Sequence, residues 1–497
     1  MRVAPVRSLS LAAGSLLALS LVPSGASAQD PSADEASNAR IEALERKVKR
    51  LEEALERAVG RPAAPAAGDD VLKRLDEVDQ QVRILGRHQE LDRETAAARS
   101  KETPSVFAGK DGFGFLSADG QFRLRFGALV QADLRGYLTN DFPGGAPDNF
   151  VLRRVRPLIE GNFFGKYGFR IQPEFGNQGS QSLLDAYVDA NLTPSFRIRA
   201  GKFKVPVGLE RLQSPSDMSF VEFGFPTQLL PNRDIGIQFA GDLFGGRLSY
   251  GAGFFDGVRD GASTDSDNNS AKDFNGRLFA YPFKLSDSET LRGFGIGVAV
   301  TTGMQAGTAA SGNLSSYVSP GQQTFFSYST GTFAAGNRQR WTPQFTYYSG
   351  PLGILGEYAR VNQAVTRSTH HRDVTHHAWQ VYATWVLTGE DASYTRVTPR
   401  QPFNPEKGTW GAFEIGARIS GLSVDEDVFI GSSTTRLADP ASSARKATDV
   451  GFVLNWYLNR TLKLQFNYDR TRFEGGGAGG RDLPTERILF SRFQAAF

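Results

Sequence analysis

Four of the five histidines lie close together, at His370, His371, His376 and His377. Paired imidazoles are good ligands for zinc or copper. The chain has no cysteine that would complete such a site. The pattern favours an external loop that runs into a strand, and we predict neither a metal site nor a cofactor.

A hydrolase with a serine and one of these histidines as general base is the catalytic alternative. The remaining histidine, His88, lies in a helical segment elsewhere in the chain. The sequence also lacks the Gly-x-Ser-x-Gly elbow that exposes a nucleophilic serine. We therefore predict that the protein is not an enzyme.

The basic residues after position 120 follow a period of two, which is typical of strands with one apolar face. In a strand that contacts lipid, Arg154 and Arg156 point inward because Val155 and Pro157 need the lipid side. If the alternation shifts by one residue after Ala200, Lys202 and Lys204 point inward as well. The cations that these rules place inside are Arg123, Arg125, Arg135, Arg154, Arg156, Arg170, Arg197, Arg199, Lys202 and Lys204.

Acidic residues of the same inward parity are fewer: Asp133, Glu160, Glu174, Asp185 and Asp189. Two interpretations remain open. The charges pair across strands and only stiffen a wall, or the excess of cations attracts anions into a narrow passage, where walls of low dielectric strengthen the field.

The elements that must position these residues are strands joined by alternately long and short connections. Short joins include residues 165–166 and 459–460, and long joins include 208–233, 304–337, 363–375 and 421–447; the long join 389–408 breaks the alternation. Such a pattern predicts an all-β fold, a 16-stranded antiparallel transmembrane β-barrel. The predicted strands are 121–138, 149–164, 167–178, 182–192, 196–207, 234–242, 247–256, 271–283, 292–303, 338–349, 351–362, 376–388, 409–420, 448–458, 461–472 and 485–497.

The N-terminus has the form of a secretory signal peptide. Arg2 and Arg7 precede an apolar stretch at 9–22, which is too short to span a bilayer, and Ala26-Ser27-Ala28 supplies a cleavage site. Removing residues 1–28 takes away two arginines and lowers the formal net charge from +3 to +1. This balance gives no reason to expect a nucleic-acid partner.

Between the signal peptide and the barrel, apolar residues recur at heptad spacing over 40–58 and again over 71–85, on either side of a Pro/Ala linker at 61–65. The spacing predicts a short coiled coil, and a single solvated helix is the alternative. The predicted domains are thus a signal peptide (1–28), a periplasmic coiled-coil segment (29–100) and a barrel (110–497).

Three stretches resemble the phosphate-selective porin O and P family. They are FVLRRVR at 150–156, GKFKVPVGLER at 201–211 running on to PNRDIG at 231–236, and WQVY at 379–382 with LTGE, GAFE and ARIS after it. The resemblance covers roughly residues 110–497. It implies an outer-membrane porin, in which the segment after residue 207 folds into the barrel and narrows the pore.

By this resemblance Arg153, Arg154 and Arg156 correspond to pore arginines. The constriction loop carries Arg211 with Glu210, Asp217 and Glu222, and ends at Arg233. The family's phosphate-selective members place lysines around this loop, whereas residues 209–232 contain none. This departure weakens the expectation of phosphate selectivity, but it does not affect the expectation that the protein is a pore.

The function expected from these patterns is passive diffusion of small hydrophilic solutes and ions through the outer membrane, with phosphate-like anions favoured. The expected partners are membrane lipid and two further copies of the chain in a homotrimer. The alternative is a structural protein with a plugged lumen that tethers the membrane to the cell wall.

Overall fold

The protein is described by a computed structural model that covers residues 46, 49–50, 53, 66–109, 112–139, 141–176, 182–263 and 269–497. The chain divides into two compact units, Met1–Glu102 and Thr103–Phe497. The predicted signal peptide, the Pro/Ala linker and nearly all of the first heptad run lie outside the described residues.

The first unit contains one long helix, α1 (Ala66–Glu102). The second predicted heptad run lies on it, and Val82 of this run is 43% exposed. Arg83 and Asp79, one turn apart, pair at 2.7 Å. Pairing of α1 with another helix stays a prediction. None of the helices in the described residues is both long and apolar enough to span a bilayer.

The second unit is a closed antiparallel barrel preceded by a hairpin, β1 (Ser105–Gly109) and β2 (Gly112–Leu116). The described residues form sixteen barrel strands, as the alternation predicts. They are β3 (Phe122–Tyr137), β4 (Asn149–Phe163), β5 (Tyr167–Glu174), β6 (Ser182–Thr193), β7 (Phe196–Lys204), β8 (Arg233–Leu243), β9 (Leu248–Phe255), β10 (Asp273–Ala280), β11 (Phe294–Ala306), β14 (Thr332–Ser349), β15 (Leu352–Arg367), β16 (His370–Val386), β17 (Ala412–Ser423), β18 (Ala444–Tyr457), β19 (Leu462–Gly475) and β20 (Glu486–Ala496).

Smaller elements lie in the connections. A hairpin of β12 (Tyr317–Val318) and β13 (Thr324–Phe326) belongs to the join between β11 and β14. The short α-helices are α2 (Leu209–Leu212), α3 (Pro226–Leu229) and α4 (Glu289–Arg292), and the 3-10 turns are Pro405–Lys407, Glu426–Phe429 and Ala478–Gly480.

Closure comes from the pairing of the last strand with the first barrel strand, from Ile488 opposite Tyr137 to Ala496 opposite Leu129. The wall is apolar outside and polar inside. On the outer face Phe452, Phe466 and Phe493 are about half exposed, whereas the alternate residues Gln465 and Arg492 are fully buried. An apolar outer face and a polar interior, the reverse of the arrangement in a soluble protein, are what a barrel in a membrane requires.

One predicted loop is wrong. Residues 363–375 were expected to form a long external connection, but β15 continues to Arg367 and β16 begins at His370. The turn needs only Ser368 and Thr369, and Ser368 has a positive φ of 54°, as tight hairpin turns require. The ladder is prolonged because Val365 and Val374 bury apolar side chains on the inner face.

The two ends of the barrel can be told apart by labelling, since the chain has no native cysteine. Ser433 lies exposed in the long connection between β17 and β18, and Glu406 lies exposed in the connection between β16 and β17 at the opposite end. We expect a membrane-impermeant maleimide to label Ser433→Cys on intact cells. It should label Glu406→Cys only after the outer membrane is permeabilised, and labelling of both variants on intact cells would contradict the topology.

Candidate functional site

The segment between β7 and β8, residues 205–232, folds inside the barrel. Apolar side chains of this segment are buried, and Val205, Val221 and Leu229 are completely so. Two single-turn helices, α2 and α3, shape it. The predicted constriction segment is therefore an internal layer, packed against part of the wall.

A carboxylate–arginine cluster fastens this segment. Arg153 donates to both carboxylate oxygens of Glu222, from Nε at 2.6 Å and from Nη2 at 3.0 Å. Arg135 and Arg492 approach the same carboxylate at 3.4 and 3.8 Å. Burial alone would raise the pKa of Glu222, but the charge and hydrogen bonds of Arg153 outweigh it and hold this pKa below its ordinary value.

Arg153 reaches the lumen through a β-bulge. In the register between β3 and β4, Gln131 stands opposite Arg154 and Ala132 opposite Leu152, so that Arg153 is the extra residue. Strict alternation would turn Arg153 and Arg154 to opposite faces, whereas a bulge re-aims one of them. Arg154 donates to Gln131 Oε1 at 2.7 Å inside the barrel.

Many polar wall residues donate to carbonyls of the constriction segment. Lys463 donates to the carbonyl of Met218 at 2.8 Å, and Asn455 to that of Ser219 at 3.0 Å. Further contacts come from Gln131 to Pro215, Gln494 to Ser216, Arg492 to Val221, Arg418 to Glu222 and Gln344 to Val207. The segment is thus held to β3, β4 and the strands from β14 to β20.

A second segment enters the lumen from the opposite end. The hydroxyl of Tyr394, in residues 387–411, donates to the Leu209 carbonyl at 2.6 Å, and Gln213 donates to the Tyr394 carbonyl at 2.8 Å. Arg396 pairs with Asp217 at 3.4 Å. This inward fold explains why the join at 389–408 is long although it lies on the side of short turns.

Beside these two segments lies a cavity of about 1330 Å³. Its charged lining is markedly cationic. Among the described residues, the cations that line it are Arg123, Arg125, Arg156, Arg170, Arg199, Lys204, Arg233, Arg396 and Arg460, nine in all, and the acids are Glu160, Asp185 and Asp217.

Most of these cations have carboxylate partners. Examples are Arg199 with Asp189 at 2.7 Å and Arg233 with Asp185 at 2.8 Å. The remaining pairs join Arg156 to Glu174, Arg396 to Asp217, and both Arg125 and Arg170 to Glu160. Among the described residues, the nine lining cations therefore have five carboxylate partners, of which Glu174 and Asp189 lie outside the lining. Within the described chain, Arg123, Lys204 and Arg460 have no carboxylate within 4 Å, and Lys204 donates to the Gln213 carbonyl at 2.5 Å.

The structure separates the predicted site residues into groups. Arg156, Arg170, Arg199, Lys204, Asp217 and Arg233 line the cavity. Arg153 and Glu222 belong to the fastening cluster, Arg154 donates to Gln131 beside it, and Arg211 donates to the Thr227 carbonyl within the constriction segment. Arg197 and Lys202 lie on β7 but not in the lining, and Lys202 is buried. Arg396 and Arg460 were missed because each lies in a connection, where alternation gives no direction.

The histidines lie on β16 rather than in the predicted loop. His376 is buried inside the barrel, where its Nε2 lies 2.6 Å from the Tyr328 hydroxyl and its Nδ1 accepts from the Asp425 backbone at 3.0 Å. His377 faces outward against Tyr358. Because neighbours on a strand point to opposite faces, these two rings cannot share an ion. In the described residues no group of three or more metal-ligating side chains occurs.

We expect Glu222→Gln to loosen the constriction segment, because it leaves Arg153, Arg135 and Arg492 around a neutral amide. Removing one partner of a buried ion pair costs about 3–5 kcal/mol. Single-channel recordings should show a larger and noisier conductance. The matched variant Glu474→Gln breaks an exposed pair with Lys446 and should leave the trace unchanged. An unaltered trace in Glu222→Gln would contradict the fastening role.

The sequence family described as phosphate-selective porin O and P matches residues 122–482. No sequence among curated proteins matches the chain. Among solved structures, the outer membrane channel DcaP of Acinetobacter baumannii is similar over 79% of this chain and 100% of its own, with 12% identity and a TM-score of 0.50. The anion-selective porin from Comamonas acidovorans covers 76% of this chain and 100% of its own, with 13% identity and a TM-score of 0.47.

The family match extends over most of the barrel, and the likeness to DcaP independently supports the porin fold. The family match points to a channel rather than an enzyme. The chain belongs to the phosphate-selective porin O and P family, and it is a diffusion channel of the bacterial outer membrane.

Proposed function

We propose that this channel favours anions, including phosphate-like anions, over cations. The observation that carries the proposal is the charge of the cavity lining: among the described residues, its nine cations have only five carboxylate partners. An excess of fixed positive charge between walls of low dielectric raises the local concentration of anions. The family's phosphate-selective character supports the same direction.

Three residues carry the excess charge in this proposal: Arg123, Lys204 and Arg460. Arg153, by contrast, acts mainly on the position of the constriction segment, because it donates to both carboxylate oxygens of Glu222. Arg154 acts on the same segment through Gln131, which donates to the Pro215 carbonyl. Lys204 is the lysine nearest in sequence to that segment, which itself contains none. It compensates in part for the lysines that the family places in the loop.

The plugged structural protein is the competing proposal. It predicts no conductance in a planar bilayer, whereas a pore predicts discrete current steps. The cavity and its excess of cations favour the pore, because a purely structural lumen has no need of unpaired charge.

Selectivity is tested by the reversal potential in a KCl gradient. We expect the wild-type potential to show chloride preference and the triple variant R123Q/K204Q/R460Q to shift it toward cation preference. The shift should shrink at high salt, because the Debye length falls from about 10 Å at 0.1 M to about 3 Å at 1 M. The control R360Q/K407Q/R481Q removes three cations from exposed positions outside the cavity and should not change the potential. Potassium preference of the wild type would refute the proposal.

We also propose that the protein is a homotrimer. Its N-terminal helices would lie in the periplasm and associate as a coiled coil. The family resemblance and the exposed heptad residue Val82 on α1 support it. Deleting residues 40–90 should leave the barrels trimeric, since contacts between barrels bury more surface than two short helical runs. Migration of the unheated full-length protein as a monomer in a gel would contradict the trimer.

A further inference from the structure

A group of three arginines stands on the outer face of the wall, away from the lumen. Arg470 and Arg472 lie on β19, and Arg487 lies on β20 directly opposite Arg470 in the strand register. The residues of alternate parity, such as Asp469 and Ile488, are completely buried inside the barrel. Because side chains alternate along a strand, the three guanidinium groups project outward.

The position of this arginine group along the barrel can be estimated from β20. Leu489, Phe493 and Phe497 continue the outer face below Arg487, and each is nearly half exposed. Ten residues separate Arg487 from Phe497, which is roughly 34 Å along a strand. With a tilt of about 40° this gives ~26 Å along the axis, close to the ~25 Å height of an apolar membrane band.

The arginine group therefore lies where the apolar band ends, at the end of the barrel with the long connections. In an outer-membrane barrel, that end faces the outside of the cell. Lipid headgroups begin at this height, so any group that meets the arginines from the membrane side is the polar part of an outer-leaflet lipid.

The part of the chain that the structure describes does not neutralise this charge. Within the described residues, no ion pair joins a carboxylate to any of the three arginines, and Nε of Arg470 is buried without a hydrogen-bond partner. Glu474, which shares their face of β19, is engaged by Arg445 at 3.4 Å and by Lys446 at 2.8 Å. Like charges opposite each other on a sheet repel, so the arrangement calls for an anion from outside the chain.

We propose that Arg470, Arg472 and Arg487 bind the phosphate groups of a lipid headgroup in the outer leaflet. A guanidinium presents parallel N–H donors that match two oxygens of one phosphate, and these charge-assisted bonds are among the strongest in proteins. Leu489 and Tyr468, one step nearer the membrane centre and opposite each other, supply an apolar surface for the acyl chains of the same lipid.

The test uses the full-length protein in detergent, with bisphosphorylated lipid A and its dephosphorylated form as probes. Native mass spectrometry counts the lipids bound. We expect the wild type to bind the phosphorylated form at least tenfold more tightly, and the variant R470Q/R472Q/R487Q to lose that preference. The variant K166Q/R292Q/K407Q, which removes as many exposed cations from connections at the opposite end of the barrel, should keep it. Millimolar inorganic phosphate should not displace the lipid.

Equal binding of both lipid forms by the wild type, or an undiminished preference in R470Q/R472Q/R487Q, would overturn the proposal. Loss of oligomers in that variant with lipid binding unchanged would assign the arginines to a protein contact instead, and displacement by inorganic phosphate would assign them to a soluble anion. Gel mobility before and after heating confirms that each barrel is folded. If the triple variant does not fold, Arg487→Gln alone must weaken the binding, and no weakening there would refute the site.

Discussion

A carboxylate that leaves water loses several kcal/mol of hydration unless cations and donors replace it, and inside this barrel Glu222 receives that replacement from Arg153, Arg135 and Arg492. The three arginines come from the neighbouring strands β4, β3 and β20, of which β20 is far from the other two in the sequence. Their common partner lies on the internal segment, so that one buried ion cluster joins the wall to the constriction. Carbonyls along the rest of the segment, such as those of Met218 and Ser219, are then within reach of wall donors.

The β-bulge at Arg153 makes this cluster possible. A regular strand offers the lumen every second residue, and the acid of the constriction segment would then meet Arg154 or Leu152 but not Arg153. The bulge instead gives the lumen two consecutive cations. Arg153 takes the carboxylate, while Arg154 contacts Gln131 and Arg156 contacts Glu174. Fastening and cavity lining are thus divided among neighbours on one strand.

Period-two alternation allowed the barrel to be predicted well. The predicted strand 461–472 corresponds to Leu462–Gly475, and 149–164 to Asn149–Phe163, because a lipid face and a polar lumen leave a strong local pattern. The pattern failed where strands rise beyond the membrane band. There, β15 and β16 continue through residues 363–375 without the alternation of a lipid face.

The site was predicted less completely than the fold. Inward parity identified Arg156, Arg170 and Arg199, since each lies on a regular strand. It gave no sign that Arg396 enters the lumen, because its contacts with Asp217 and the Ala496 carbonyl join residues far apart in the sequence. The bulge was equally hidden, since a single inserted residue changes the register without changing composition. Of the arginines on β4, alternation identified Arg154 and Arg156, and only Arg153 depended on the family resemblance.

The fastening contacts and the cavity cations are largely on different parts of the wall. Apart from the contacts of β3 and β4 around Glu222, the constriction segment is attached to β14–β20, whereas most of the cationic lining comes from β3–β8. A lumen divided in this way has a modular design. Cavity-lining residues on one arc can be exchanged, during evolution or in the design of a sensor for another solute. The opposite arc meanwhile keeps the constriction segment, and with it the width of the pore, in place. Such a scaffold can diversify its permeant ions without first being rebuilt.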